Sequence, residues 1–306
     1  YAFGSTTAGA TYYFDQVSFP AVTSTQTTVP GAPATTYTQG SLLWEENFDG
    51  TGALDSSRWT SRFCGHSSAN GGGSCHNNEQ QYYIPEAIAQ DGSSQGNLTI
   101  TTKRISRPPA NGGICYVGTC SFTSGRLDTQ GKVSFKYGYI EARIKMPSGS
   151  GNWPAFWMLG SNITSIGWPN SGEIDIAEGF GNAKTKTSSA VHYSTTGSGC
   201  CDNHLYDYIK YDIGQDYSAN FHTYGLAWLP NEISFYVDRK LTLRTSPSTI
   251  RSKLWPFNTP NFLILNNAVT YGNGFGGAWN GWQSSEMLID YVRHYELDGQ
   301  GKVFLK

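Results

Sequence analysis

Alternation of apolar and polar residues governs this chain. In residues 138–146, Ile140, Ala142, Ile144 and Met146 fall at every second position, the period of a strand with one buried face. Similar runs at 97–103, 221–229, 232–238, 261–267 and 287–295 predict further strands, with Gly-, Asn- and Pro-containing turns between them. No segment sustains an apolar 3.6-residue period over three turns, so little helix is expected. Long strands without crossover helices pack as two layers. The expected fold is therefore all-β, a β-jelly-roll sandwich of two curved antiparallel sheets with one concave face.

One strand-like run breaks the pattern. Glu173-Ile174-Asp175-Ile176-Ala177-Glu178 carries three carboxylates in six residues that otherwise read as buried strand. Glu173 and Asp175 share a face, but Glu178, three residues on, should point the other way. A β-bulge around Ile176-Ala177 would restore the parity and bring all three acids to one surface. Ordinary packing gives no reason to gather three like charges there. Glycoside hydrolysis does, because it needs one ionised carboxylate and one protonated acid side by side.

This hexapeptide resembles the signature of family-16 glycoside hydrolases, in the bulged form of laminarinase-like enzymes. The flanks agree: Asn152-Trp153-Pro154-Ala155-Phe156-Trp157 before it, Val191-His192-Tyr193 after it, and Asp290-Tyr291-Val292-Arg293 near the end. The resemblance runs over roughly residues 42–297, with the motifs in the family's order. It implies the same jelly roll with a substrate cleft on its concave face. It also implies Glu173 as nucleophile and Glu178 as general acid/base of a retaining mechanism, with Asp175 between them to position Glu173 and raise its neighbours' proton affinity.

The resemblance further places Trp153, Trp157 and Trp168 on the cleft, where indole faces stack on pyranose rings. Trp157 reads equally well as core. His192, one hairpin beyond the acids, can contact them or serve as a satisfied structural histidine. In 77–83, Asn78 and Gln81 match the amides that line the sugar subsites, since an amide offers both a donor and an acceptor. Trp279, in 276–281, matches another cleft loop, although the preceding stretch 267–275 is longer than usual. A structural calcium ion is implied at Glu46, Gly96 and Asp290. No cofactor is expected for catalysis.

A net charge of −2 with 14% charged residues leaves no basic field for nucleic acid. No run approaches the length of a membrane span, and no charged-then-apolar leader opens the chain at Tyr1. Tyr 19, Trp 9 and Gly 36 suit a β protein that stacks aromatics on a sugar. Six cysteines, Cys64, Cys75, Cys115, Cys120, Cys200 and Cys201, suggest disulfides and a secreted protein. Local pairing is favoured, Cys115 with Cys120 being the simplest, while the adjacent Cys200 and Cys201 leave cross-pairing open. Zinc at His66 and His76 is disfavoured, because Cys-x-His…Cys-His is no usual ligand spacing.

Residues 1–20 contain one strand-like run that resembles the last strand of a jelly-roll carbohydrate-binding module. Residues 21–40 read as an uncharged Thr/Pro linker, and 41–306 as a monomeric catalytic domain. A lone strand cannot bury its own face, so this remnant is expected to pack on the sandwich or on a neighbouring copy. The expected activity is cleavage of internal β-1,3-glucosidic bonds in a β-glucan. The rivals are mixed-linkage glucan or galactan cleavage, transglycosylation, and glucan binding without catalysis.

Overall fold

The computed structural model describes residues 37–63, 77, 79–92, 96–107, 114–115, 118–197 and 203–306. Two large sheets dominate it, as the alternation predicts. One runs Lys240–Thr245, Glu232–Val237, His222–Leu229, Gly138–Lys145, Ser284–Leu297, Leu98–Arg104, Ile88–Asp91, Thr51–Gly52, with Gln39–Glu46 also paired to Ser284–Leu297. The other runs His204–Asp212, Lys186–Ser194, Glu173–Gly179, Asn152–Gly160, Asn261–Val269, Arg126–Asp128, Thr60–Ser61. Among the described strands, pairing is antiparallel except between Gln81–Tyr83 and Phe122–Ser124. Helix is scarce among the described residues, which hold one α-helical turn, Ile163–Ile166, and none long and apolar enough to cross a membrane.

The core lies between the sheets. Ile140, Ala142, Ile144 and Met146, the alternating set read from sequence, are all fully buried. They join a cluster with Phe156, Met158, Ile174, Ile176, Ala177, Val191, Leu263 and Leu265 of the facing sheet. Each such large apolar side chain contributes about 1.5–3 kcal/mol by leaving water. The central strands of the second sheet thus have one face fixed inward, and their alternate residues must face outward.

The sandwich begins inside the stretch expected as linker. Gln39 is in register with Leu297, and Tyr37 is buried among Tyr139, Ala227, Tyr236 and Leu297. The Tyr37 hydroxyl donates to Glu232 and lies 3.0 Å from Ser234 Oγ, while Thr38 N–H donates to Asp298 at 2.7 Å. A polar Thr/Pro composition hides this, because one aromatic residue carries the docking. Tyr37→Ala should cost about 2–4 kcal/mol in urea unfolding, through lost packing and the lost hydroxyl bond to Glu232. Unchanged stability would instead put the boundary at Ser41. The strand-like run in 1–20 and the rest of the linker lie outside the described residues.

Candidate active site

The three acids stand on the outer face of the second sheet. Trp157 is in register with Asp175 and Phe156 with Ala177, so Ile176 is the extra residue of a bulge. The neighbouring strand agrees, with Asp175 opposite Ala190 and Glu178 opposite Ser188. Ile176 and Ala177 are both fully buried in the core. Two consecutive inward side chains are what a bulge permits, and they return Glu178 to the face of Glu173 and Asp175. Gly172 (φ +75°) turns the chain into this strand in a conformation that side chains rarely adopt.

Each acid is held by a named partner. Trp168 Nε1 donates to Glu173 Oε2 at 2.8 Å, and Trp153 Nε1 donates to Glu178 Oε1 at 2.8 Å. Ser188 Oγ donates to the other oxygen of Glu178 at 3.3 Å. His192 Nε2 lies 3.0 Å from Asp175 Oδ2 and 4.0 Å from Glu173 Oε1. Asp175 is only 4% exposed, whereas the two glutamates keep partly exposed carboxylates. The outer acids are therefore open to the surface while the central one stays within the protein.

Burial and mutual repulsion raise the proton affinity of the whole group. Glu173 is pushed up to about 8, first by burial and then by the Asp175 charge, against the pull of His192 and the Trp168 N–H. Burial also lifts Asp175 well above the carboxylate range, with Glu178 adding and a hydrogen bond to Glu173 opposing. Glu178 rises for the same first reason, opposed by Trp153, His192 and Ser188. Such a cluster titrates as a unit and retains protons near neutral pH, where isolated carboxylates have none. A general acid needs such a retained proton.

The other residues singled out from sequence fall in different places. Trp153 stacks on Phe275 (centroids 4.8 Å apart, 22°), and Phe275 stacks on Phe180 (4.3 Å, 15°), which extends an aromatic row away from Glu178. Trp157 is half-buried on the outer face, donating to Asn266 Oδ1 at 2.7 Å with the Arg126 guanidinium 5.0 Å over its ring. Gln81 is fully buried: its amide donates to Glu79 and accepts from Val269 N–H, so it braces the loop beneath the surface. Trp279 packs against Phe122 and Arg104 and donates to Trp282 O, with its ring turned to that side. Asn78 lies outside the described residues.

Sequence reasoning missed Ser188, Phe275, Asn266 and His204. The usable signal for His204 was strand parity. His204, Tyr206, Tyr208 and Lys210 alternate along the edge strand, where Tyr206 is opposite His192 and Lys210 opposite Ser188, on the face that carries the acids. Cys120 is disulfide-bonded, and the expected pairing with Cys115, like Cys64, Cys75, Cys200, Cys201, His66 and His76, falls outside the described side chains.

The calcium expectation meets committed donors. Glu46 Oε2 accepts from Arg58 at 2.9 Å and Trp59 Nε1 at 3.0 Å, and the Asp290 carboxylate is paired with Arg143. Gly96 lies tight against the backbone of Phe48 and Asp49. The expected donors are backbone carbonyls with one carboxylate, and of these the Asp290 carboxylate is engaged by Arg143. Glu173, Asp175 and His192 are the one group among the described residues whose ligand-type atoms all lie within 4.8 Å. Their closeness is accounted for by the hydrogen-bonded acid cluster.

Comparison with known proteins agrees with this geometry. The chain is 34% identical over 270 residues to the "Beta-glucanase" of Rhodothermus marinus, covering 83% of this chain and 84% of that one. It is 31% identical over 259 residues to the "Keratan-sulfate endo-1,4-beta-galactosidase" of Sphingobacterium multivorum, covering 84% of this chain but only 55% of that longer protein. The laminarinase catalytic domain of Thermotoga maritima superposes with a TM-score of 0.71 at 32% identity, covering 84% of this chain and 98% of that one. The profile of "Glycosyl hydrolases family 16" matches residues 78–293, more than half the chain. With its acid strand, its two-sheet sandwich and these relatives, the chain belongs to glycosyl hydrolases family 16.

Proposed function

We propose that the protein is a secreted endo-β-1,3-glucanase acting by a retaining double displacement. The observation that carries the reaction type is the pair Glu173 and Glu178, brought by the Ile176 bulge to one face of one strand and each held by an indole N–H. Glu173 attacks the anomeric carbon as Glu178 gives its proton to the departing glycosidic oxygen, so a C–O bond forms while another breaks. Glu178 then takes a proton from water, the water oxygen attacks the anomeric carbon, and Glu173 departs. Asp175, buried between them with His192 Nε2 3.0 Å away, belongs to the same cluster, whose raised proton affinity lets the three acids share protons and limits their repulsion.

The linkage reading is supported by likeness to the laminarinase domain, and the partly exposed indoles of Trp153 and Trp168, each bonded to one of the glutamates, offer apolar surface for pyranose rings on either side of the acids. Secretion is supported by six cysteines, one of them the disulfide-bonded Cys120. Chromatography of products from laminarin, lichenan, agarose and carrageenan, run in parallel, tests the proposal. Laminarin should give a ladder of oligosaccharides early in digestion. Preferential cleavage of lichenan would move the reading to mixed-linkage glucan, and cleavage of agarose or carrageenan alone to galactan.

A further inference from the structure

Neighbouring acids that hold protons in common need those protons aimed. Asp175 has Glu173 on one side and His192 on the other, with His192 Nε2 3.0 Å from Oδ2, a buried oxygen that no well-aligned hydrogen bond satisfies. A neutral imidazole carries a single N–H, and the partner of one nitrogen decides which nitrogen holds it. For His192 that partner is His204. Its Nε2 lies 2.7 Å from His192 Nδ1, with the two rings stacked at 15° and centroids 4.9 Å apart. At that distance one nitrogen donates and the other accepts.

Two further contacts tie His204 to the nucleophile. Its ring packs on Trp168 with centroids 4.5 Å apart, and Trp168 donates to Glu173. A closed circuit results, running Glu173, Trp168, His204, His192, Asp175 and back to Glu173. The groups facing the histidine pair are Glu173, Asp175 and Tyr206, whose ring lies 5.6 Å from His192 and 5.8 Å from His204. Burial and the neighbouring imidazole push His204 down to about 4, so it stays neutral across the working pH range.

The geometry points to His204 as a positioning residue: its Nε2–H donates to His192 Nδ1, which keeps the His192 N–H on Nε2, beside the carboxyls of Asp175 and Glu173. In the opposite arrangement, His192 Nε2 presents a lone pair 3.0 Å from Asp175 Oδ2, and no N–H faces the acids. The acid cluster then loses a donor that stabilises its ionised form, which favours protonation of Glu173 and blocks its attack. This inference rests on the proposed roles of Glu173 and Asp175 and is independent of the linkage cleaved.

Two variants separate aiming from mere packing. His204→Phe keeps a flat ring against Trp168 without an N–H, whereas His204→Gln places an amide N–H near the site of Nε2. On laminarin, or on whichever β-glycan the parent cleaves, His204→Phe should lower kcat about 10- to 100-fold with KM within about twofold, and His204→Gln should recover most of the loss. Equal loss in both variants, or a change confined to KM, would overturn the proposal. A substrate-free readout is long-range proton–nitrogen NMR of the parent imidazoles, which should find both His192 and His204 protonated on Nε2. A proton on Nδ1 of His192 would overturn the relay while leaving the acids' roles intact. Full activity in Glu173→Gln would instead sink those roles without touching the tautomer result.

Discussion

Glu173→Gln should lower turnover of β-1,3-glucan by about 10⁴-fold or more, because an amide cannot form the glycosyl–enzyme bond. The fold should survive, since the amide still accepts the Trp168 N–H that Glu173 accepts now. Glu178→Gln should behave differently. It removes the proton donor, costing about 10²–10⁴-fold on natural glucan, but much less on an aryl glycoside whose leaving group departs without protonation. Comparing the two variants on both substrates by steady-state kinetics assigns the roles. Equal losses on both substrates in Glu178→Gln would remove it as general acid.

The same Glu173→Gln substitution should make the protein more stable at neutral pH. Glu173 has its native pKa raised from 4.5 to about 8, so between those values the folded acid cluster holds a proton that the unfolded state releases, and turnover runs through the fraction with Glu173 ionised and Glu178 protonated. For a carboxyl shifted upward, the native state is favoured at low pH and loses stability as pH rises through this window. A neutral amide carries no such loss. The gain should grow from nothing near pH 4 to on the order of 1–3 kcal/mol near pH 8, less than the full linkage because Asp175 and Glu178 titrate with Glu173. Thermal melts of parent and variant at pH 4, 6 and 8 read this out. A variant less stable than the parent at pH 8 would show that the carboxylate is a net favourable charge. Active sites that gather like charges commonly lower stability in this way.

Much of this was legible in the sequence, because strand periodicity and acid spacing are local signals. The set Ile140, Ala142, Ile144 and Met146 is buried as alternation required, and the bulge falls on Ile176, where the parity of Glu173, Asp175 and Glu178 demanded one. The hydrogen bonds of Trp153 and Trp168 to the acids extend the expectation that those rings flank the site. What escaped depends on long-range register. Gln81 reads as a surface amide until its burial and its bond to Val269 are seen across 188 residues of chain. Tyr37 docks through a hydroxyl that reaches Glu232 and Ser234, a pairing that no local composition reports. His204 joins the acids only because the edge strand lies beside Lys186–Ser194.

The central claim is that Glu173 and Glu178, on one face of one strand, carry out a double displacement. Proton NMR of the first products from laminarin tests it most directly, provided spectra are taken before the new reducing ends mutarotate. Two inversions at one carbon restore the starting configuration, so the β-anomer signal should rise first and the α-anomer only later, as it equilibrates. An initial burst of α-anomer would mean a single displacement by water and would contradict Glu173 as the nucleophile.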